Sequence, residues 1–178
     1  GIDERILKWA GVDFRSVGDI VELPSKHSRR ISETEYVDCW GIKKTLVDQQ
    51  WQITNSPLKN ASIKDLKDYD WPEPRINEEL LTKWQQQAKV LFESGEYVVI
   101  AEHPYYGILE LGMWLCGYDE FLMRMALDPD FVKTFFDITS NIQFSVARQY
   151  YTSLGKYIDL TTSGDDFGTQ RSSMMSPE

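Results

Sequence analysis

Two short β-type runs, Tyr97 to Ala101 and Tyr157 to Thr162, are separated only by helical sequence, and this order restricts the fold more than any other feature. A strand, a helical crossover and a second strand of one sheet run parallel, because the chain must travel back before it can pair again. Their carboxyl ends then share a rim, which in parallel α/β sheets is where converging loops bind ligands. One strand empties into Ser163-Gly164-Asp165-Asp166-Phe167-Gly168-Thr169-Gln170, the other into Glu102-His103-Pro104-Tyr105-Tyr106-Gly107. Since the chain ends eight residues after Gln170, an α/β architecture has no room to close, and the expectation is a piece of a larger barrel.

The rest of the pattern fills in around that unit. Ile2 to Ala10 reads as a short helix ended by Gly11, with a brief strand over Val12 to Val17. Residues 34–56 change to β-branched and aromatic runs broken at Gly41 and Asp48, the texture of an antiparallel hairpin insertion. Residues 57–76 read as a surface excursion, with Ser62 and Asp65 as a capping box and Trp71-Pro72-Glu73-Pro74 as its stop. Residues 77–178 form regular βα units. Asn77 caps a helix ended by Gly95, Gly107 to Leu127 is helical with a break at Gly117, and Asp128-Pro129 opens a long helix closed by Gly155. One domain is expected over 1–178.

Composition narrows the function classes. A net charge of −9 repels phosphate backbones and anionic lipid, so nucleic acid and membrane surfaces are not the expected partners. No apolar run approaches the roughly 20 residues that span a bilayer. Cys39 and Cys116 fit neither a disulfide framework nor a paired zinc-ligand spacing, so a cytoplasmic location is expected, and no metal ligands are assigned.

Several residues carry chemistry. Asp165 and Asp166 cannot both face one pocket from an extended backbone, so one is expected to bind and the other to support; a carboxylate there accepts ligand N–H groups, holds a cation or moves a proton, and the alternative is that the pair caps the following turn. His103 offers an imidazole, the side-chain type suited to moving protons in the physiological range, and Tyr105 offers a ring face and a hydroxyl, which equips Glu102 to Gly107 for proton transfer or stacking; the alternative for His103 is a structural hydrogen bond. Glu110 is the one charge between Gly107 and Gly117 and has to be paired, protonated or pointed at the site. Gln170 is a candidate amide partner for a ligand. Tyr36, Asp38 and Trp40 alternate along a strand as a packed hairpin face.

Four segments together resemble one family. Tyr36-Val37-Asp38-Cys39-Trp40-Gly41-Ile42, the stretch from Pro57 to Ala61 leading through Asp65 to Pro74, Leu122-Met123 to Asp128-Pro129, and Gly164 to Gln170 with Ser176-Pro177-Glu178 are similar to the uroporphyrinogen decarboxylase superfamily. The similarity is nearest to its uroporphyrinogen decarboxylase-like and corrinoid-dependent methyltransferase branch, through the Asp-Asp-aromatic-Gly-Thr-Gln version of the last segment. The resemblance implies a (β/α)8 TIM barrel, here partial, with its site at the carboxyl rim. It implies an enzyme, with methyl transfer to or from a corrinoid on a partner protein as the first reading. Cofactor-free decarboxylation of uroporphyrinogen is the alternative, and a non-catalytic module holding a tetrapyrrole or a corrinoid protein is a third. Zinc ligands of the methyltransferase branch are expected outside this chain, and the arginine-bearing segment of true decarboxylases has no counterpart in it. The expected site residues are Asp165, Asp166 and His103 as catalytic groups, with Glu102, Tyr105, Glu110 and Gln170 as substrate contacts; a homo-oligomer is also compatible.

Overall fold

The computed structural model describes residues 2–175. Helix α1 (Glu4–Trp9), capped by the Asp3 carboxylate, leads into strand β1 (Phe14–Val17). A meander follows: β2 (Arg29–Ser32), β3 (Glu35–Val37), β4 (Lys43–Val47) and β5 (Gln50–Asn55) make a four-stranded antiparallel sheet in sequence order. The hairpin region therefore begins earlier than the β-type texture suggests. Strand β2 is exposed along its whole length and carries two arginines, so only its pairing with β3 makes it a strand.

Helix α2 (Ile63–Asp68) has the capping box expected from Ser62 and Asp65: each side chain takes the other residue's backbone N–H. The 57–76 segment is more than a surface excursion, because Leu58, Leu66 and Ile76 are buried in the core. Helix α3 (Glu78–Ser94) starts on the Asn77 side chain and stops at Gly95, which holds φ = 66° in the left-handed region. Strand β6 (Val98–Ala101) follows, then α4 (Ile108–Cys116) and α5 (Tyr118–Leu127), separated at Gly117. The α4–α5 corner is tight. A Cβ on Gly112 would overlap the fully buried Phe121 ring.

Helix α6 (Pro129–Leu154) begins with proline at its first position and the Asp128 carboxylate accepting from Phe131 N–H. Its buried stripe, including Phe131, Phe135, Ile142, Val146 and Tyr150, packs on α3, α4 and α5. The Tyr150 hydroxyl reaches across the core to donate to Val17 O at 3.0 Å. After a 3-10 turn (Gly155–Tyr157), strand β7 (Leu160–Thr161) is only two residues long. It is short because Asp159 pairs with its neighbour through its side chain: the carboxylate accepts from Val99 N–H at 2.8 Å while the Asp159 N–H donates to Val99 O.

Strands β1, β6 and β7 form a parallel sheet with β6 central, Phe14 opposite Val98 and Ile100 opposite Leu160. The parallel crossover and common rim expected from sequence are present. The barrel is not. The parallel sheet has three strands, the second sheet is antiparallel, and neither barrel closure nor a (β/α)8 pattern exists among the described residues. Closure needs every strand edge paired around a ring, and among the described residues β1 and β7 each pair with one strand. Val17, Val99 and Ala101 are buried on one face of this sheet, whereas Phe14 and Leu160 on the other remain about half exposed.

Candidate functional site

The carboxyl ends of β1, β6 and β7 are bound to each other just beyond the ladder. Glu102 N–H donates to Val17 O, Thr162 N–H to Ala101 O, Val21 N–H to Pro104 O, and the Thr162 hydroxyl to the Glu102 carboxylate at 3.0 Å. A cleft of about 350 Å³ opens here, walled by Tyr105, Tyr106, Phe144 and Phe167, with Ser163 and Asp165 at its polar side. A wider opening of about 850 Å³ lies between α1, β1 and α3 and includes Glu102 alone of the expected site residues. That second space is the uncovered sheet edge.

Asp165 and Asp166 have different environments, as alternate side-chain directions require. The Asp165 carboxylate accepts from Leu109 N–H at 2.7 Å, from Glu110 N–H at 2.9 Å and from Asp166 N–H at 2.8 Å. It is the N-terminal cap of α4, whose own cap residue, Gly107, has no side chain to offer. Glycine is required at that position, since a Cβ there would overlap the Asp165 carboxylate and crowd its Cα. Three of the roughly four acceptor positions of a carboxylate are thus taken by backbone. Asp166 is exposed beside it.

Glu110 sits in the first turn of α4, half-buried. Burial raises its pKa, and Asp165 and Asp166 raise it further, while Lys44 pulls the other way. His103 stands at the rim edge-on to Tyr105, with ring centroids 5.8 Å apart, and its Nδ1 is buried without a hydrogen-bond partner among the described residues. Burial raises the Tyr105 pKa. Gln170 is exposed on a small turn in which Thr169 and Ser172 bond each other, and it does not line the rim cleft. The segment Ser176-Pro177-Glu178 lies outside the described residues.

One group that the sequence reading passed over belongs with these. Lys44, on β4, is only 8% exposed and its ammonium lies 3.3 Å from the Asp38 carboxylate, itself 2% exposed. The other Asp38 oxygen accepts from Trp40 and Ile42 N–H, which fixes the turn at Gly41. Burial lifts the Asp38 pKa, with Lys44 and these N–H groups opposing it. The Tyr106 hydroxyl is 3.5 Å from the Lys44 ammonium, and burial pushes that phenol up to about 12. Polar contacts therefore run from Asp38 through Lys44 to the Tyr106 hydroxyl, and Tyr106 directly precedes Gly107, the cap position of α4.

Among the described residues no group of three or more His, Cys, Asp or Glu is placed to hold a metal ion. No helix among them is long and apolar enough to cross a membrane. The chain matches none of the protein-family models, curated proteins or solved structures with which it was compared.

Proposed function

We propose that this chain carries the substrate-handling rim of a uroporphyrinogen decarboxylase superfamily enzyme, and that the reaction is methyl transfer with a corrinoid on a partner protein. The observation that carries the reading is the meeting of its distant resembling segments. Asp38, from the segment at 36–42, connects through Lys44 and Tyr106 to the start of α4, which Asp165 from the segment at 164–170 caps. Trp71, from the Trp-Pro-Glu-Pro segment, packs edge-on against Trp40 with centroids 6.3 Å apart.

In this proposal the walls formed by Tyr105, Phe144 and Phe167 take the flat face of a bound ligand, because large rings bury apolar area with little rotamer loss. Glu110 and the exposed Asp166 take the proton released by the acceptor, and the raised pKa of Glu110 makes that group a better base near neutrality than an ordinary carboxylate. Asp165 positions the loop and does not react. The corrinoid, when bound, would supply the electrophilic methyl group and keep the electron pair of the broken cobalt–carbon bond. The described residues form no zinc site. Decarboxylation is the weaker reading, because a carboxylate that grips pyrrole N–H groups needs free acceptor positions and most of those on Asp165 are used.

The test is to incubate the protein with methylcobalamin and a thiol acceptor, and separately with uroporphyrinogen. Methyl loss that falls about tenfold or more in Asp166→Asn, at unchanged melting temperature, is the expected result. Uroporphyrinogen turnover without methyl loss, or no turnover of either compound, would overturn the proposal.

A further inference from the structure

A separate cleft, of about 420 Å³, lies on the other side of Tyr106 from the rim, between the β4–β5 hairpin and α4. Its lining is mostly aromatic: Tyr36, Trp51, Trp114 and Tyr118, with Lys44 at the buried end. Large aromatic rings are ordinarily covered, yet Trp51 is 41% and Tyr118 48% exposed. Two cations stand against these rings in a chain of net charge −9. The Arg30 guanidinium lies 5.2 Å over the Trp51 ring and 5.9 Å over Tyr36. Lys44 lies 4.9 Å from the Trp114 ring, 5.2 Å from Tyr106 and 6.0 Å from Tyr36.

The Lys44 ammonium is poorly satisfied for a buried charge. It has three donors, but the Tyr106 hydroxyl is at the long limit of 3.5 Å, and the Asp38 oxygen 3.3 Å away has no hydrogen bond of acceptable geometry among the described residues. Burial works against the Lys44 charge, yet Tyr106, Asp38 and Tyr36 outweigh it and the pKa is raised. A desolvated ammonium in this state gains more from an incoming acceptor than one in water does.

We propose that this cleft binds a planar aromatic carboxylate, its ring against Trp51, Trp114 and Tyr118 and its carboxylate on Lys44. The volume accommodates a two-ring compound. The ring contacts use the exposed aromatic faces, and the Lys44 ammonium selects the anion over its neutral analogue. None of its lining residues walls the rim cleft, so the two ligands would occupy separate spaces, although Lys44 also belongs to the contacts that reach the start of α4.

Calorimetric titration with 2-naphthoate, with 2-naphthamide as the neutral control, tests this. Saturable binding of the carboxylate, weaker by about tenfold or more for the amide, is expected, with the difference shrinking in high salt. Trp51→Ala, a surface change that leaves the core intact, should weaken naphthoate by about fivefold or more. Lys44→Met alone would strand the buried Asp38 charge, so the double change Lys44→Met with Asp38→Asn is the matched test, and it should abolish the preference for the anion. Asp166→Asn should leave naphthoate binding as it is. Equal binding of acid and amide, no saturable binding, or affinity untouched by both Trp51→Ala and the double change would overturn the proposal.

Discussion

Removing the Asp165 carboxylate should loosen the start of α4, a helix whose cap arrives from 56 residues away. Asp165→Ala deletes acceptors for the Leu109 and Glu110 N–H groups, which have no intrahelical partner to turn to. Replacing a side-chain cap by alanine costs about 0.5–2 kcal/mol, and a carboxylate at a helix start adds roughly 0.3–1 kcal/mol through the helix dipole. Asp165 is only partly buried, so water replaces some of what is lost, and about 2 kcal/mol is the upper end of the expected cost. For a chain of this size, that is a fall in melting temperature of about 4–8 °C. Asp165→Asn retains one acceptor oxygen and should lose roughly half as much. The cost can also appear locally, as detachment of the loop after β7, so amide exchange at Leu109 and Glu110 is measured together with melting. Gly107→Ala should produce the same phenotype by pushing the carboxylate away, and the pair Gly107→Ala with Asp165→Ala should be no worse than the stronger single change. Unchanged melting and unchanged exchange at both amides in Asp165→Ala would refute the capping role.

Two further outcomes follow from the same structure. Glu110 has its pKa raised in the folded chain by burial and by Asp165 and Asp166, so folding favours its protonated form; stability from this group is fully present below the ordinary value of 4.5 and is lost as pH rises through the raised one. Glu110→Gln should therefore melt higher than the parent at pH 7 and show no advantage below about pH 4; an advantage that persists in acid would contradict the assignment. The parallel sheet has one face uncovered, with Phe14 and Leu160 about half exposed, whereas such sheets ordinarily bury both faces. Sedimentation of residues 1–178 should show association that grows with concentration and is reduced by Leu160→Lys; a monomer at every concentration with cooperative unfolding would contradict it.

Elements whose signal is local were legible from sequence. Helices α3 and α6 announce themselves through apolar residues at spacings of three and four between a side-chain cap and a glycine, and α2 through its capping box. The parallel pairing of β6 with β7 followed from the helical crossover, and it brought Glu102 and Asp165 to one end of the sheet. Features set by distant partners were not legible. Strand β2 has no buried face to give it alternation and exists through β3. Strand β7 is shorter than its β-type sequence because Asp159 satisfies Val99 with a side chain. The barrel expectation extended a local βαβ pattern to a global closure that three parallel strands do not make.

Lys44 illustrates the limit in the site itself. In a strand reading Lys-Lys-Thr-Leu-Val, a lysine scores as a solvated residue, and nothing nearby in sequence says otherwise. Its burial depends on Tyr106, 62 residues away, and on Trp114, both presented by the loop and helix after β6. The adjacent Lys43 differs: it pairs with Glu35 at 2.6 Å on the opposite face of the strand and remains about one-third exposed. Two identical neighbours thus have opposite environments because strand side chains alternate faces, and only one face meets the aromatic residues of α4. A buried charge raises the requirement on whatever stands beside it, and Asp38, itself buried and held by the Trp40 and Ile42 N–H groups, is the group that folding brings to the Lys44 ammonium.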